Sequence, residues 1–356
     1  MKPDNKTAFQ HNIQKFRAFA ILNITAIHCW AACYYSAGSQ SSAGHNLRSI
    51  IESLFHNSTV YFALISGVLY SLVLKRQPIT QFYRKKITTI FVPYVFFSGI
   101  YTILAGRVFI SEDIEPTSIQ GMLNAIPSNL LNGSSWGHLW YPPVLLVLFI
   151  LTPLIYKSLK HPVFQYTLII TAFAPLTISR VWPDFSLNNV CFFGGAYSLG
   201  LYIGLYYQKA LELFHRFSFA LLLSALMLLF PIGYLYQYSP VLNLPFNPIE
   251  SLSYLQKIFL GCFLIEWLHR TEQPTNKIFN FIATHAYGIY LVHPAISIFA
   301  AIGLKIISPS IFEQAGFIAL SLYGLVIFSA TLLLSITLIM TTKPLLGKYS
   351  KLIYGT

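Results

Sequence analysis

Arg17 and His28 stand eleven residues apart in the first apolar run of the chain. Over that separation an α-helix completes three turns plus about 20°, so both side chains share one face, about 16 Å apart along the axis. Ionisable groups inside a membrane are costly and mark function by default. Arg17 lies toward the polar N-terminus, near one membrane interface. His28 lies deeper, among Ile24, Ile27 and Ala31, where a neutral imidazole able to accept a proton is expected. The chemistry open to His28 from its setting is to accept a proton. A packed histidine bonded to a neighbouring helix is the structural alternative.

Three further groups of residues carry chemistry. Lys75 and Arg76, then Arg84, Lys85 and Lys86, put five positive charges in one short connection. They suit a polyphosphate ligand or an anionic lipid surface. The run Trp136-Gly137-His138-Leu139-Trp140-Tyr141-Pro142-Pro143 reads as an interfacial aromatic belt or a platform for sugar rings, with His138 at its rim. In Tyr287-Gly288-Ile289-Tyr290-Leu291-Val292-His293-Pro294, the proline frees a carbonyl in mid-helix, and His293 is either its partner or a reactive group. Glu250 and Glu266 stand near the ends of their apolar segment, where interfacial water is in reach. Lys257, deeper, is expected to pair with a carboxylate or a carbonyl.

The elements that must position these residues follow from composition. Of 356 residues, 55% are hydrophobic and only 10% are charged, against roughly a quarter charged in a soluble domain. That excludes soluble enzymes and disordered chains. Apolar runs near 16–36, 58–74, 87–106, 139–156, 161–179, 185–207, 217–238, 249–268, 278–304 and 315–342 predict an all-α integral membrane protein of about ten transmembrane helices. Residues 1–356 read as a single membrane domain, and residues 1–15 as the lead-in to an uncleaved first span. With this alternation 18 of the Lys and Arg residues fall on one side and 4 on the other, which places both termini in the cytoplasm. The loop 107–137, with Glu112, Asp113 and Glu115, then lies outside, and its stretch from Ile119 to Leu131 suits the interface. The net charge of +12 is thereby accounted for by orientation, with no nucleic-acid partner. Cys29, Cys33, Cys191 and Cys262 lack metal-ligand spacing and read as small core hydrophobes, and no metal site is expected.

Taken in order, these stretches resemble acyltransferase family 3, the integral membrane O-acyltransferases. Phe16-Arg17-Ala18-Phe19-Ala20-Ile21-Leu22 up to His28 is similar to the family's opening helix with its Arg-x10-His pair. Ala63-Leu64-Ile65-Ser66-Gly67-Val68-Leu69 resembles its second helix, and Phe82 to Pro93 its basic segment. His138-Leu139-Trp140-Tyr141 and Tyr287 to His293 resemble two further elements. Thr89 stands where the family often has another arginine, and Ala286 where it often has serine. The flavour is that of stand-alone glycan O-acetyltransferases such as the enterobacterial common antigen type, in a bacterial inner membrane. The resemblance implies acetyl-CoA as donor, approaching from the cytoplasm. Arg76, Arg84, Lys85 and Lys86 would bind its phosphates, and Arg17 would orient it toward His28 as base or acyl carrier. It also implies a cell-surface glycan or lipid-linked saccharide as acceptor, received by Trp136, His138, Trp140, Tyr141, Tyr290 and His293. Two other classes remain open: a transporter or exporter of polysaccharide or small molecules, and a structural partner of glycan-assembly enzymes. The spans are poor in acids, which argues against proton-coupled transport.

Overall fold

The computed structural model describes residues 5–38, 41–108, 118–159, 161–181, 185–240, 242–271, 277–308 and 310–356. Glu112, Asp113 and Glu115 lie outside the described residues. Among those described the fold is all-helical. Helix α1 (Asn5–Ser36) runs unbroken through Arg17 and His28, so one helix carries both. The hydropathy reading leaves residues 37–57 as a connection, but they hold α2 (Ser42–Phe55), whose buried Leu47 and Ile51 recur at helical spacing between polar residues. It is too short and too polar to span a bilayer. Ser41 starts it, its hydroxyl accepting from the Gly44 N–H at 3.0 Å. Asn57, at φ 58°, then turns the chain into α3 (Thr59–Leu72); asparagine tolerates this left-handed geometry better than most residues.

Helix α4 (Ile79–Lys86) passes through a π-helical turn, Ile87–Phe91, into α5 (Val92–Val108). Pro93 lacks the N–H that would continue the ladder. The Tyr287 hydroxyl donates to the Ile90 carbonyl inside this distorted turn, at 3.0 Å. Helix α6 (Ile119–Asn132), capped by Ser118 and ended by Gly133 at φ +68°, is mostly exposed, as an interfacial segment would be. Helix α7 (Tyr141–Ser158) carries Pro142 and Pro143 in its first turn, where the missing N–H groups cost nothing. Next come α8 (Pro162–Phe173) and α9 (Leu187–Leu205), the latter bent by 104° into α10 (Tyr207–Arg216). The chain continues through α11 (Ser218–Met227), α12 (Leu229–Tyr238), α13 (Pro248–Arg270) and α14 (Lys277–Thr284). It ends with α15 (Ala286–Ile307), α16 (Phe317–Leu346) and α17 (Ser350–Tyr354).

Every apolar segment expected from the sequence is helical, yet among the described residues only six helices are long and apolar enough to cross a bilayer, or seven if the bent pair counts as one span. Helices α3 and α8, with 14 and 12 residues, are shorter than the segments around them suggested. Helix α13 has the length, but Glu250, Lys257 and Glu266 make it more polar than its neighbours. The chain is a multi-pass helical membrane protein.

The tightest packing joins α3 to α9. A Cβ on Gly67 would strike the Tyr197 carbonyl, one on Gly200 the Leu64 carbonyl, and one on Gly204 the Val68 carbonyl. Lipid offers no hydrophobic drive between helices, so close backbone approach through small residues supplies the contact. The Ser71 hydroxyl adds a hydrogen bond to the Leu201 carbonyl at 2.8 Å. This explains the Gly67 of the Ile65-Ser66-Gly67 run and the Gly200-x3-Gly204 spacing opposite it. Three cysteines, Cys29, Cys33 and Cys262, are core residues as expected. Cys191 is exposed instead, because it lies on the outer side of α9.

Candidate active site

A cavity of about 580 Å³ opens between α1, α2, α12, α15 and the segment before α7. His28 lines it from α1 and makes no hydrogen bond with any described residue. The His293 ring, on α15, lies 5.1 Å from it, centroid to centroid. The His138 ring lies 5.7 Å beyond His293. Three imidazoles separated by more than a hundred residues in sequence thus share one place.

In the His293-Pro294 pair the imidazole partners the break that the proline makes in the helix. Pro294 cannot bond the Tyr290 carbonyl, and the His293 Nδ1–H donates to that oxygen at 2.9 Å and to the Ile289 carbonyl at 3.0 Å. Carbonyls only accept, so Nδ1 carries the hydrogen and Nε2 the lone pair. Nε2 is buried and has no partner. The ring is therefore locked in one tautomer by the helix break and presents a free acceptor beside His28.

The aromatic run divides. Trp136, His138 and Trp140 line the cavity, and His138 is buried among Tyr101, Tyr290 and His293 instead of sitting at a solvated rim. Tyr290 lines it too, and its hydroxyl donates to the His138 carbonyl. Tyr141 is not among the lining residues. Its ring packs behind the wall against Phe193 at 5.2 Å, because the start of α7 turns it toward α9.

The basic cluster also divides. Lys86 turns inward, its ammonium 3.8 Å from the Phe149 ring centroid, and lies close enough to Arg17 for the two charges to repel. Neither forms an ion pair with a carboxylate among the described residues. Arg84 and Lys85 are exposed and line a separate surface pocket with Lys348 and Lys351 of the C-terminal segment. Arg76 is exposed in the turn before α4 and lines neither cavity.

Away from His28 the cavity wall is a charged network that hydropathy left unread. His56 bridges Glu52 (Nδ1 to Oε2, 2.9 Å) and Glu250 (Nε2 to Oε1, 3.0 Å). The Arg180 Nε–H reaches the other Glu250 oxygen at 3.3 Å, and the Asn57 amide donates to it at 2.7 Å. Tyr34 donates to Glu52 at 2.7 Å. Burial raises the Glu52 carboxyl, but the His56 hydrogen bond and charge, with Tyr34, outweigh it and hold the group at about 2. Burial lowers His56, and the Glu250 charge with the hydrogen bonds its ring donates to both carboxylates more than reverses this. Glu250 is therefore buried and paired, not reaching for water, because α13 delivers it to the loop that carries Arg180. The spacing Glu52-x3-His56 puts both on one helical face and was the readable signal. Lys257 is fully buried and donates to the Leu54 carbonyl at 2.8 Å. It holds the C-terminal end of α2, and so the place of Glu52 and His56.

No curated protein and no solved structure shows significant similarity to this chain. Residues 11–340 match the family model described as an acyltransferase domain, a span that includes both the imidazole cluster and the inward cations. With that match over most of its length, the chain belongs to acyltransferase family 3.

Proposed function

We propose that this protein is an O-acyltransferase that moves an acyl group, acetyl in the first instance, from cytoplasmic acyl-CoA to a hydroxyl of an extracytoplasmic or lipid-linked glycan. The observation that carries this reading is the layout along α1. At one end stand Arg17 and Lys86, two inward cations without a carboxylate. At the other His28 faces an aromatic cavity with its imidazole unbonded. Unpaired cations attract phosphates from the cytoplasm, and the unbonded imidazole is free to take a proton. In direct transfer His28 removes the acceptor hydroxyl proton, the oxygen attacks the thioester carbonyl, and the C–S bond breaks. The CoA thiolate leaves and takes the proton back from the imidazolium. In the two-step form the His28 nitrogen attacks first, CoA leaves, and the acceptor oxygen then displaces the imidazole. His293 Nε2 can hold the transferred proton in either route.

The donor end gives the test. Lys86→Gln should weaken CoA binding about tenfold, and more than the double exchange Arg84→Gln with Lys85→Gln, since only Lys86 turns toward Arg17. Binding should weaken as salt rises. Unchanged CoA affinity by calorimetry in correctly inserted Lys86→Gln protein would reduce the cluster to an orientation signal.

The orientation belongs to the same proposal. Arg48 and Arg180, both assigned outside by the charge count, line one cavity, while Arg84 and Lys85 share a pocket with Lys348 and Lys351, all assigned inside. Such grouping supports cytoplasmic termini in an inner membrane. With the native cysteines removed, Asn124→Cys should react with a membrane-impermeant maleimide from the periplasmic side. Labelling only after the inner membrane is opened would invert the arrangement.

A further inference from the structure

Arg48 is the charge in the cavity that the network does not absorb. Arg180 is paired with Glu250, and His56 bridges Glu250 and Glu52, so two carboxylates face two cationic side chains. Arg48, on α2, stands outside this balance. It makes no ion pair or hydrogen bond with any described residue, and its Nε is buried without a partner. Its guanidinium lies over the Tyr35 ring at 5.9 Å and the Tyr236 ring at 5.6 Å. Two aromatic faces orient the planar group and leave its N–H donors unspent. The Nε is withdrawn from water, unlike that of an arginine extended fully into solvent. The donor fork matches a carboxylate or phosphoryl oxygen pair.

Arg48 and His28 line the same cavity. Tyr35 lies seven residues beyond His28 on α1, about 10 Å along the axis. Trp136, partly exposed on the wall, offers an apolar face to a sugar ring, and Trp140 beside it lies under the Arg180 guanidinium. We infer that the acceptor is an acidic saccharide, and that Arg48 receives its carboxylate or phosphoryl group while the hydroxyl of a neighbouring sugar reaches His28. This rests on the reading of the cavity as the acceptor site.

The test is binding, without acyl donor. Fluorescence of the detergent-purified protein, whose Trp136 and Trp140 line the cavity, is titrated with cellobiose, cellobiouronic acid and cellobiose 1-phosphate. At least one acidic probe should bind about tenfold more tightly than cellobiose, and whichever of the two it is identifies the anion as carboxylate or phosphoryl. Arg48→Gln should erase the preference while leaving cellobiose binding intact, and Arg48→Lys should keep part of it. Equal affinity for all three probes, no binding of any, or loss of cellobiose binding in Arg48→Gln would overturn the inference. Should Arg48→Gln fail to fold, the salt dependence in the parent protein decides: affinity for the acidic probe should fall as salt rises and that for cellobiose should not. An acidic preference without acyl transfer would sink the enzymatic reading and leave the anion site standing. Transfer to glycans with no acidic preference would do the reverse.

Discussion

His28→Ala protein should insert normally and lose about 10²–10⁴-fold in acyl transfer, the usual cost of removing a positioned proton acceptor. The size follows from the surroundings. His28 faces the cavity with no hydrogen bond to any described residue, the more deeply buried His138 beside it is also without a partner on either ring nitrogen, and its neighbour His293 spends Nδ1 on two backbone carbonyls. His293 cannot swing in to replace it without surrendering the carbonyl that Pro294 leaves free. His28→Gln fills the space with an amide that cannot take the proton, so it should be nearly as inactive. Transfer by purified protein from radiolabelled acetyl-CoA to a glycan acceptor measures both. Near-normal transfer by well-inserted His28→Ala protein would remove His28 from the chemistry. Arg17→Lys keeps a charge but not the bidentate fork, so its loss should appear in donor affinity more than in turnover.

The second large effect is on stability. Glu250→Ala removes the carboxylate shared by Arg180, His56 and Asn57. Two buried cationic groups lose a counter-charge, and breaking such a pair costs about 3–5 kcal/mol. A lower thermal unfolding midpoint in detergent reports it; an unchanged midpoint would show that the network is not holding α2 against α13. Joint replacement, Glu250→Leu with Arg180→Met, should lose less than the single exchange, because no charge is then stranded. The pH dependence has two limbs. Glu52 is held low, so its contribution is full above about pH 4.5 and is lost as pH falls toward 2. His56 is raised, so its contribution is full below its unfolded value near 6.5 and is lost as pH rises through the folded one. Stability from this network should therefore peak in mildly acidic solution. Glu250→Ala should flatten the alkaline limb, since Glu250 is the main cause of the His56 shift.

The Arg17–His28 register was legible without coordinates because both lie on one helix, and helical geometry fixes their shared face whatever packs around it. The same holds for the apolar segments, which hydropathy locates. The charge asymmetry could be counted because it is a property of composition along the chain. None of this reveals a network drawn from distant elements. Glu52 and His56 sit in a segment too polar for a span, Arg180 in a loop, Tyr236 on α12 and Glu250 on α13. Only the packing of α2 against α12 and α13 makes them neighbours. Likewise, nothing in the run Arg84-Lys85-Lys86 says that its last member alone turns inward to Arg17. Lys86 shares the buried face of α4 with Phe82, one turn earlier, and the packing of that face beside Phe149 turns it inward. The tautomer of His293 was settled by a carbonyl that Pro294 leaves unbonded, and Tyr141 left the cavity wall because α7 enters beside Phe193. Local periodicity sets the face a residue occupies on its own helix, and tertiary packing alone decides which other face it meets.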